Sequence, residues 1–344
     1  MFERTIYDAF GLYCEGRFLL EGYDGFYSNN HAYLLLPKDE CLISESEMLS
    51  FTNYLRSIGD LSVLEPLLTK NNNRIALVDG QEVYVAPLPN EQSASQIRIN
   101  SEEERGMHLS QLHSYGKRVP YQKKYDFFGQ WPKIWEQRLE QLESWYQQVL
   151  FEGPQSDVDQ AFLFTYPYFM GLTENAIQYA VDATIDELSR DQEMPTIVHR
   201  HFAEHTWMIV SQDGAIVKRP TEWLYDHPCR DIAEWMRDQR LRNDQFPWEK
   251  ASQLLNGYEQ VDLLSTYSRR LLYARLLFPR HYFEAIEFYY SAQVKEDRIR
   301  RGQQFMKLLM NEANNETFLR DFSTYYLHSR AKSLVNVPTL EWLS

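Results

Sequence analysis

HRHFAEHTWMIVSQDGAIVKRPTEWLYDHPCRDIAEWMR, residues 199–237, is the stretch from which the fold of this 344-residue chain is read. Trp207–Val210 and Ala215–Lys218 are short apolar-rich runs separated by Ser211-Gln212-Asp213-Gly214. The Asp-Gly pair closes a tight hairpin because both residue types tolerate positive φ. An aromatic-rich run follows, and Arg230-Asp231 then opens a helix expected over Arg230–Arg240. An acid near a helix N-terminus is favoured by capping and by the helix dipole. The loop ahead of the hairpin carries the chemistry-bearing side chains His199, His201, Glu204, His205 and Thr206.

That order, loop then hairpin then helix, is the layout of a phosphoryl-transfer centre. Such a centre uses H-x-D-x-x-x-x-N, a short hairpin and a further Asp: the first Asp accepts the proton of the substrate hydroxyl, and the Asn and second Asp hold Mg²⁺. His199 matches the opening His, but His201 falls on the proton-accepting Asp and Thr206 on the Asn. The metal-binding Asp is due near Arg219–Trp223, where the acid available is Glu222. A separate metal site at His199, His201 and His205 is not assigned, because no acid or Cys at a close, motif-like spacing completes a ligand set. His199 is read as a packed structural histidine, and Glu204 and His205 as loop residues.

With 344 residues the chain is long enough for two packed lobes, each with its own core. Its 35 basic and 49 acidic residues give a net charge of −14, which argues against nucleic acid or an anionic membrane as the main partner. No apolar run approaches the roughly 18 residues of a membrane span. The start, MFERTIYDAF, lacks a basic segment leading an apolar one, so the protein is expected to stay in the compartment where it is made. Cys14, Cys41 and Cys229 are far apart and odd in number, so buried unpaired thiols are expected. The 23 tyrosines are assigned to helix interfaces.

Towards the N-terminus, GRFLLEGYDGFYSNNHAYLLL (16–36) reads as strands broken at Gly22, Asp24-Gly25 and Ser28-Asn29-Asn30. Ser44-Glu45-Ser46-Glu47 has the spacing of a capping box, followed by Met48, Phe51, Leu55 and Ile58 on one helical face. Strand-like runs follow at Val63–Thr69, Arg74–Val78 and Glu82–Ala86. Residues 1–90 are therefore expected to form a small β-rich lobe with one main helix. Residues 91–101 are expected to form a hinge, within the polar, Pro-containing run Pro87–Asn100. Residues 102–344 should form a larger lobe of helices at Glu102–Tyr115, Trp131–Leu150, Tyr166–Ser189, Arg230–Arg240, Ala251–Tyr258, Leu263–Leu277, His281–Tyr290 and Lys295–Leu309. Trp135, Leu139, Leu142, Trp145, Tyr146 and Val149 form a packing stripe. Lys295, Arg298, Arg300 and Arg301 read as a solvated helix face.

Four segments, LSQLHSYGK (109–117), FGQWPKIWEQRLEQLESW (128–145), DHPCRDIAEWMR (226–237) and LLSTYSRRLLYARLLFPRHYFEAIEFYY (263–290), carry a resemblance to a known family. The chain resembles the aminoglycoside-phosphotransferase and choline-kinase-like superfamily, and within it the spore-coat kinase-like proteins of the CotS/YutH type. The resemblance implies an α+β, two-lobed protein-kinase-like fold. It also implies that His113 ends a helix as a packing residue, and that Arg230 and Asp231 buttress the catalytic loop. In active relatives a strand Lys pairs ATP phosphates with a helix Glu. Here HAYLLLPK places Leu36 and Pro37 near that position and Lys38 one step late, with Glu45 or Glu47 as the possible helix acid. Loss of base, metal ligand and Lys together implies a pseudokinase without cofactor, and the resemblance implies that it binds other spore-coat proteins, is made in the mother-cell cytoplasm and is carried to the coat. The alternative is an atypical ATP- and Mg-dependent phosphotransferase of a small molecule or protein, using His201 and Glu222.

Overall fold

The computed structural model describes residues 2–89, 97–120, 126–186, 193–324 and 340. The chain opens with helix α1 (Phe2–Phe10), then β1 (Gly16–Leu20), β2 (Tyr23–Ser28), β3 (His31–Pro37), α2 (Glu45–Ser57), β4 (Ile75–Val78) and β5 (Gln81–Pro87). The strands form an antiparallel sheet in the order β1-β2-β3-β5-β4. Local chemistry sets the turns. Asn29 and Asn30 sit at φ +50° and +60°, and Asp79 and Gly80 at +47° and +87°. Paired positive-φ residues give the turn whose twist matches that of the flanking strands. Ser44 caps α2 by accepting the Glu47 N–H at 3.2 Å, as the capping-box spacing predicts.

Two expectations in this part are corrected. The β1–β2 turn is at Glu21-Gly22, whereas Asp24-Gly25 lies inside β2. There Gly25 pairs with Phe18, whose ring covers the space that a Cβ would fill. Val63–Thr69 is not a strand: Val63 makes one isolated bridge to Lys218, and Leu67 N–H reaches Val85 O at 2.8 Å. Pro66 lacks the donor that a ladder needs. Helix α1 was not anticipated, although Phe2, Ile6, Ala9 and Phe10 share one helical face. Its stability comes from tertiary burial: Phe2 and Ile6 pack with Phe26, Leu35, Ala76, Val78, Val83 and Val85.

Beyond the sheet the order is α3 (Glu102–Gly116), α4 (Trp131–Glu152), α5 (Asp157–Asp186), β6 (Thr196–His199), β7 (Trp207–Ile209), β8 (Ile216–Lys218), β9 (Trp223–Asp226), α6 (Cys229–Arg242), α7 (Trp248–Glu259), α8 (Thr266–Leu277), α9 (Arg280–Tyr290), α10 (Lys295–Met310) and α11 (Glu312–Asp321). Helix α5 starts nine residues before the expected Tyr166 and runs through Pro167. Ser156 caps it, accepting Asp159 N–H at 3.1 Å, while Asp159 accepts Gln155 N–H at 2.9 Å. The expected end of that helix, at 187–189, and hinge residues 91–96 lie outside the described residues. Cys229 is buried, but Cys14 and Cys41 are only half-buried.

Contacts divide the chain into two compact units: Met1–Phe127 with Met194–Asp238 and Trp248–Leu263, and Phe128–Glu193 with Gln239–Pro247 and Leu264–Ser344. In the first, β6 pairs with β9 and β7 with β8, and α3 packs backbone-to-backbone on α7. A Cβ at Gly106 would strike the Leu254 carbonyl, and one at Gly257 the Glu103 carbonyl. The second unit is held by aromatic stacks such as Phe169–Tyr282, with ring centroids 3.6 Å apart, and Trp135–Phe278 at 4.8 Å.

These contacts set opposite signs for one substitution type. Gly257→Ala should cost about 1–3 kcal/mol through overpacking. Gly171→Ala, in α5 with open space around it, should instead add about 0.5–1 kcal/mol by helix propensity. Urea-unfolding midpoints of the two variants test this, and equal signs would contradict the packing.

Candidate functional site

Asp231 is the centre of the best-defined polar cluster. Its carboxylate is fully buried at the start of α6. Oδ1 accepts the His199 backbone N–H at 2.9 Å, and Oδ2 accepts His199 Nδ1 at 2.8 Å and His113 Nε2 at 3.1 Å. The tautomers follow from the other partners. An indole can only donate, so His199 Nε2 accepts Trp207 Nε1–H at 3.0 Å and the ring proton lies on Nδ1. His113 Nδ1 likewise takes the Tyr258 hydroxyl at 2.8 Å while Nε2–H faces the carboxylate. Burial alone would push the Asp231 carboxyl up, but the two imidazoles and their hydrogen bonds hold it at about 2. Burial pushes His113 down, keeping the ring neutral.

Arg230 completes this frame. Its guanidinium donates to the carbonyls of His199 and Arg200, both at 3.2 Å, and to Asp226 Oδ2 at 2.8 Å. The structure therefore brings His113, His199, Arg230 and Asp231 together, from α3, β6 and α6.

The loop between β6 and β7 closes on itself. The Thr206 hydroxyl donates to His201 O at 2.9 Å and accepts Ala203 N–H at 2.8 Å. Glu204 N–H reaches Asp238 at 3.3 Å, and His205 Nδ1 stands 3.4 Å from Glu21. Glu222 is buried in the turn between β8 and β9, with Oε1 3.1 Å from Arg219 Nη1.

Arg219 was not singled out from the sequence, yet it directly follows β8 and joins its own turn to the start of β2 and to the segment after β3. Its Nη1 also approaches Glu40 Oε2 at 3.5 Å and bonds the Tyr23 hydroxyl, with the guanidinium carbon 4.3 Å from the Tyr23 ring centre. Tyr23 in turn donates to Glu40 Oε1 at 2.7 Å, and Arg200 Nη1 donates to the Glu40 carbonyl at 3.2 Å. Burial raises the Glu40 carboxyl, opposed by the Tyr23 bond and the Arg219 charge. Among the described residues no group of three or more His, Cys, Asp and Glu is arranged to hold a metal ion.

The three residues proposed around the strand Lys are not joined to one another through Lys38. Strand β3 ends at Pro37 and Lys38 begins a 3-10 turn, so strand alternation does not reach it. Its ammonium pairs with Glu82 at 2.6 Å on the exposed surface. Glu45 is reached by the Tyr84 hydroxyl, and Glu47 is buried in the first turn of α2.

A second buried cation escaped sequence reading. Lys218, the last residue of β8, is fully buried, bonded to Asp60 and lying 2.6 Å from His108 Nε2. A Lys can only donate, so this His108 nitrogen is an acceptor. Burial, then the Lys218 charge, pushes the His108 ring down to about 3, and Asp60 is held below the usual range by Lys218 and His108 against its own burial.

A five-stranded sheet with a capped helix, followed by a histidine loop, a hairpin and a helix opened by Arg-Asp, defines a kinase-like protein of the small-molecule phosphotransferase fold. A solved aminoglycoside phosphotransferase from Alicyclobacillus acidocaldarius superposes with a TM-score of 0.66 at 13% identity, covering 92% of this chain and 93% of that one. Spectinomycin phosphotransferase APH(9)-Ia, bound to ADP and spectinomycin, gives 0.57 at 12% identity, covering 89% and 92%. The chain belongs to the YutH family: residues 3–322 match the family model described as "Spore coat putative kinase YutH". It is 30% identical over 346 residues to the endospore coat-associated protein YutH of Bacillus subtilis strain 168, covering 100% of this chain and 98% of the relative.

The neutral burial of His108 has a signed consequence. The folded ring titrates near 3 and an unfolded one near about 6.5. Between these values the unfolded chain binds the extra proton, so stability falls as pH is lowered, by about 1.4 kcal/mol per unit for this group. His108→Gln keeps an acceptor for Lys218 and should flatten the stability–pH slope between about pH 6 and 4 by one proton. Urea titrations at several pH values read this, and an unchanged slope would refute it.

Proposed function

We propose that this protein is a catalytically degenerate kinase-like component of the bacterial endospore coat that acts by binding other coat proteins during assembly. The observation that carries the reading is Arg219. Where a phosphotransferase needs carboxylates facing Mg²⁺ after the hairpin, a buried guanidinium stands between Glu222 and Glu40, 3.1 Å from the first and 3.5 Å from the second, and already offsets part of their charge. A divalent cation bound there would meet like charge and would have to break both pairs. His201 replaces the acid that receives the substrate proton, and the Thr206 hydroxyl is spent on closing its own loop. A positioned general base is worth roughly 10²–10⁴ in rate. These residues do not fit Mg·ATP. Coat association rests on the family and on the coat-associated Bacillus relative.

Thermal denaturation with and without Mg·ATP tests the closed centre. A ligand at 100 times its Kd would stabilise by about 2.7 kcal/mol, and no such shift is expected. Stabilisation together with phosphate transfer that disappears in both His201→Ala and Glu222→Ala would instead establish the atypical phosphotransferase. For the coat role, a deletion strain is expected to show altered coat protein composition; an unchanged coat and unchanged germination would overturn it.

A further inference from the structure

Helix α10 packs inward through Gly302 and Phe305. A Cβ at Gly302 would press on Val158 of α5 and on the Tyr289 ring of α9, so the three helices meet closely there. Beside that meeting point runs a groove of about 680 Å³ along α10, floored by Val158, Tyr289 and Gly302. Its wall is an apolar stripe of Ile299, Met306 and Met310, at the spacing of one helical face. Ile299 is 54% exposed and Met310 80%, a large unburied apolar area on one side of a helix. Methionines with three rotatable bonds adapt to a partner's shape.

The charges around the groove select the occupant. Lys295, Arg298 and Lys307 line it against one acid, Asp157, in a chain whose total charge is −14. Arg298 lies over the Tyr289 ring at 4.7 Å. Lys295 and Lys307 make no ion pair among the described residues. They stand 12 positions apart, about 18 Å along the helix axis, one toward each end of the apolar stripe.

We propose that this groove binds an amphipathic helix of another protein whose apolar stripe is flanked at both ends by acidic residues. A helix laid in a furrow offers i, i+3/i+4 and i+7 anchors to an apolar floor, and acids some 12 residues apart would meet Lys295 and Lys307. A bilayer is a poorer fit, because the apolar surface is concave and the net charge opposes an anionic membrane. The groove is lined by residues of the second unit and shares none with the histidine cluster of the first, so the inference holds whether or not that cluster's loop transfers phosphate.

The test uses the full chain and two fluorescent helical peptides of about five turns that share one leucine stripe, with Glu at both ends in one and Lys in the other. Fluorescence anisotropy should show saturable binding of the Glu peptide, at least about tenfold tighter than the Lys peptide and weakened by salt. Ile299→Asp and Met306→Glu should each weaken binding about tenfold or more. Lys295→Glu with Lys307→Glu should reverse the preference, which a merely misfolded variant would not do. Equal binding of the two peptides, or no saturation up to about 1 mM, would overturn the proposal. So would concentration-dependent dimerisation abolished by Ile299→Asp, which would assign the groove to a second copy, or recruitment to anionic vesicles lost in the same variant.

Discussion

The carboxylate of Asp231 is the constraint on which the histidine loop depends. It receives one backbone and two imidazole N–H groups with no access to water. The donors come from two separately positioned segments: α3 presents His113, and the end of β6 presents His199 twice. Removing the carboxylate would leave three buried donors unmet, and each such loss costs of the order of 1–3 kcal/mol. The indole of Trp207 then selects the His199 tautomer that can reach Asp231. Packing, tautomer and loop path are one coupled choice.

Beside that frame, on the proposed reading, charge is handled in an opposite way from a working phosphotransferase. A catalytic centre leaves carboxylates uncompensated so that a metal and phosphate complete them. Here Arg219 supplies the compensating charge from within the chain, and Tyr23 and Glu40 fasten the β1–β2 turn and the segment after β3 to it. Breaking such a pair from one side leaves a buried charge alone, which is the expensive outcome. On the proposed reading, that cost favours a stable surface for recognition over a cleft that opens around nucleotide.

What could be read from the chain follows the range of the interactions. The Asn29-Asn30, Asp79-Gly80 and Asp213-Gly214 turns and the Ser44 cap depend on residues within a few positions, and their signals were visible. The reading of His201, Thr206 and Glu222 as altered positions also rests on local spacing, and it belongs to the proposed function. The Arg219 cluster was not legible: Tyr23 and Arg219 are 196 positions apart, and neither departs from ordinary surface composition. Its one available signal was a cation directly after the hairpin, where a metal-binding acid is due. Lys218 was hidden similarly, as the polar end of an apolar run whose partners Asp60 and His108 lie elsewhere in the chain. The Val63–Thr69 strand failed because composition reports tolerance for extended backbone, whereas a strand also needs a ladder partner at each donor, and Pro66 has none to offer.

The two units consequently answer to different physical variables. The first places three charge clusters in or beside its core, around Asp231, Arg219 and Lys218, and two of them contain histidines held neutral by burial. Protons act on those groups directly, so acidity weakens this unit by linkage. The second relies on ring stacks and on the half-buried Arg138–Glu287 fork, whose two bonds are 2.7 and 2.8 Å. Neutral stacks have no charge to lose, and a bidentate guanidinium–carboxylate pair persists until the carboxylate protonates. Beneath α10 the contact is of that neutral kind, Phe305 meeting the Tyr282 ring at 5.6 Å between centroids, so acid is expected to act on the buried histidine clusters of the first unit before it acts on the floor of the α10 groove.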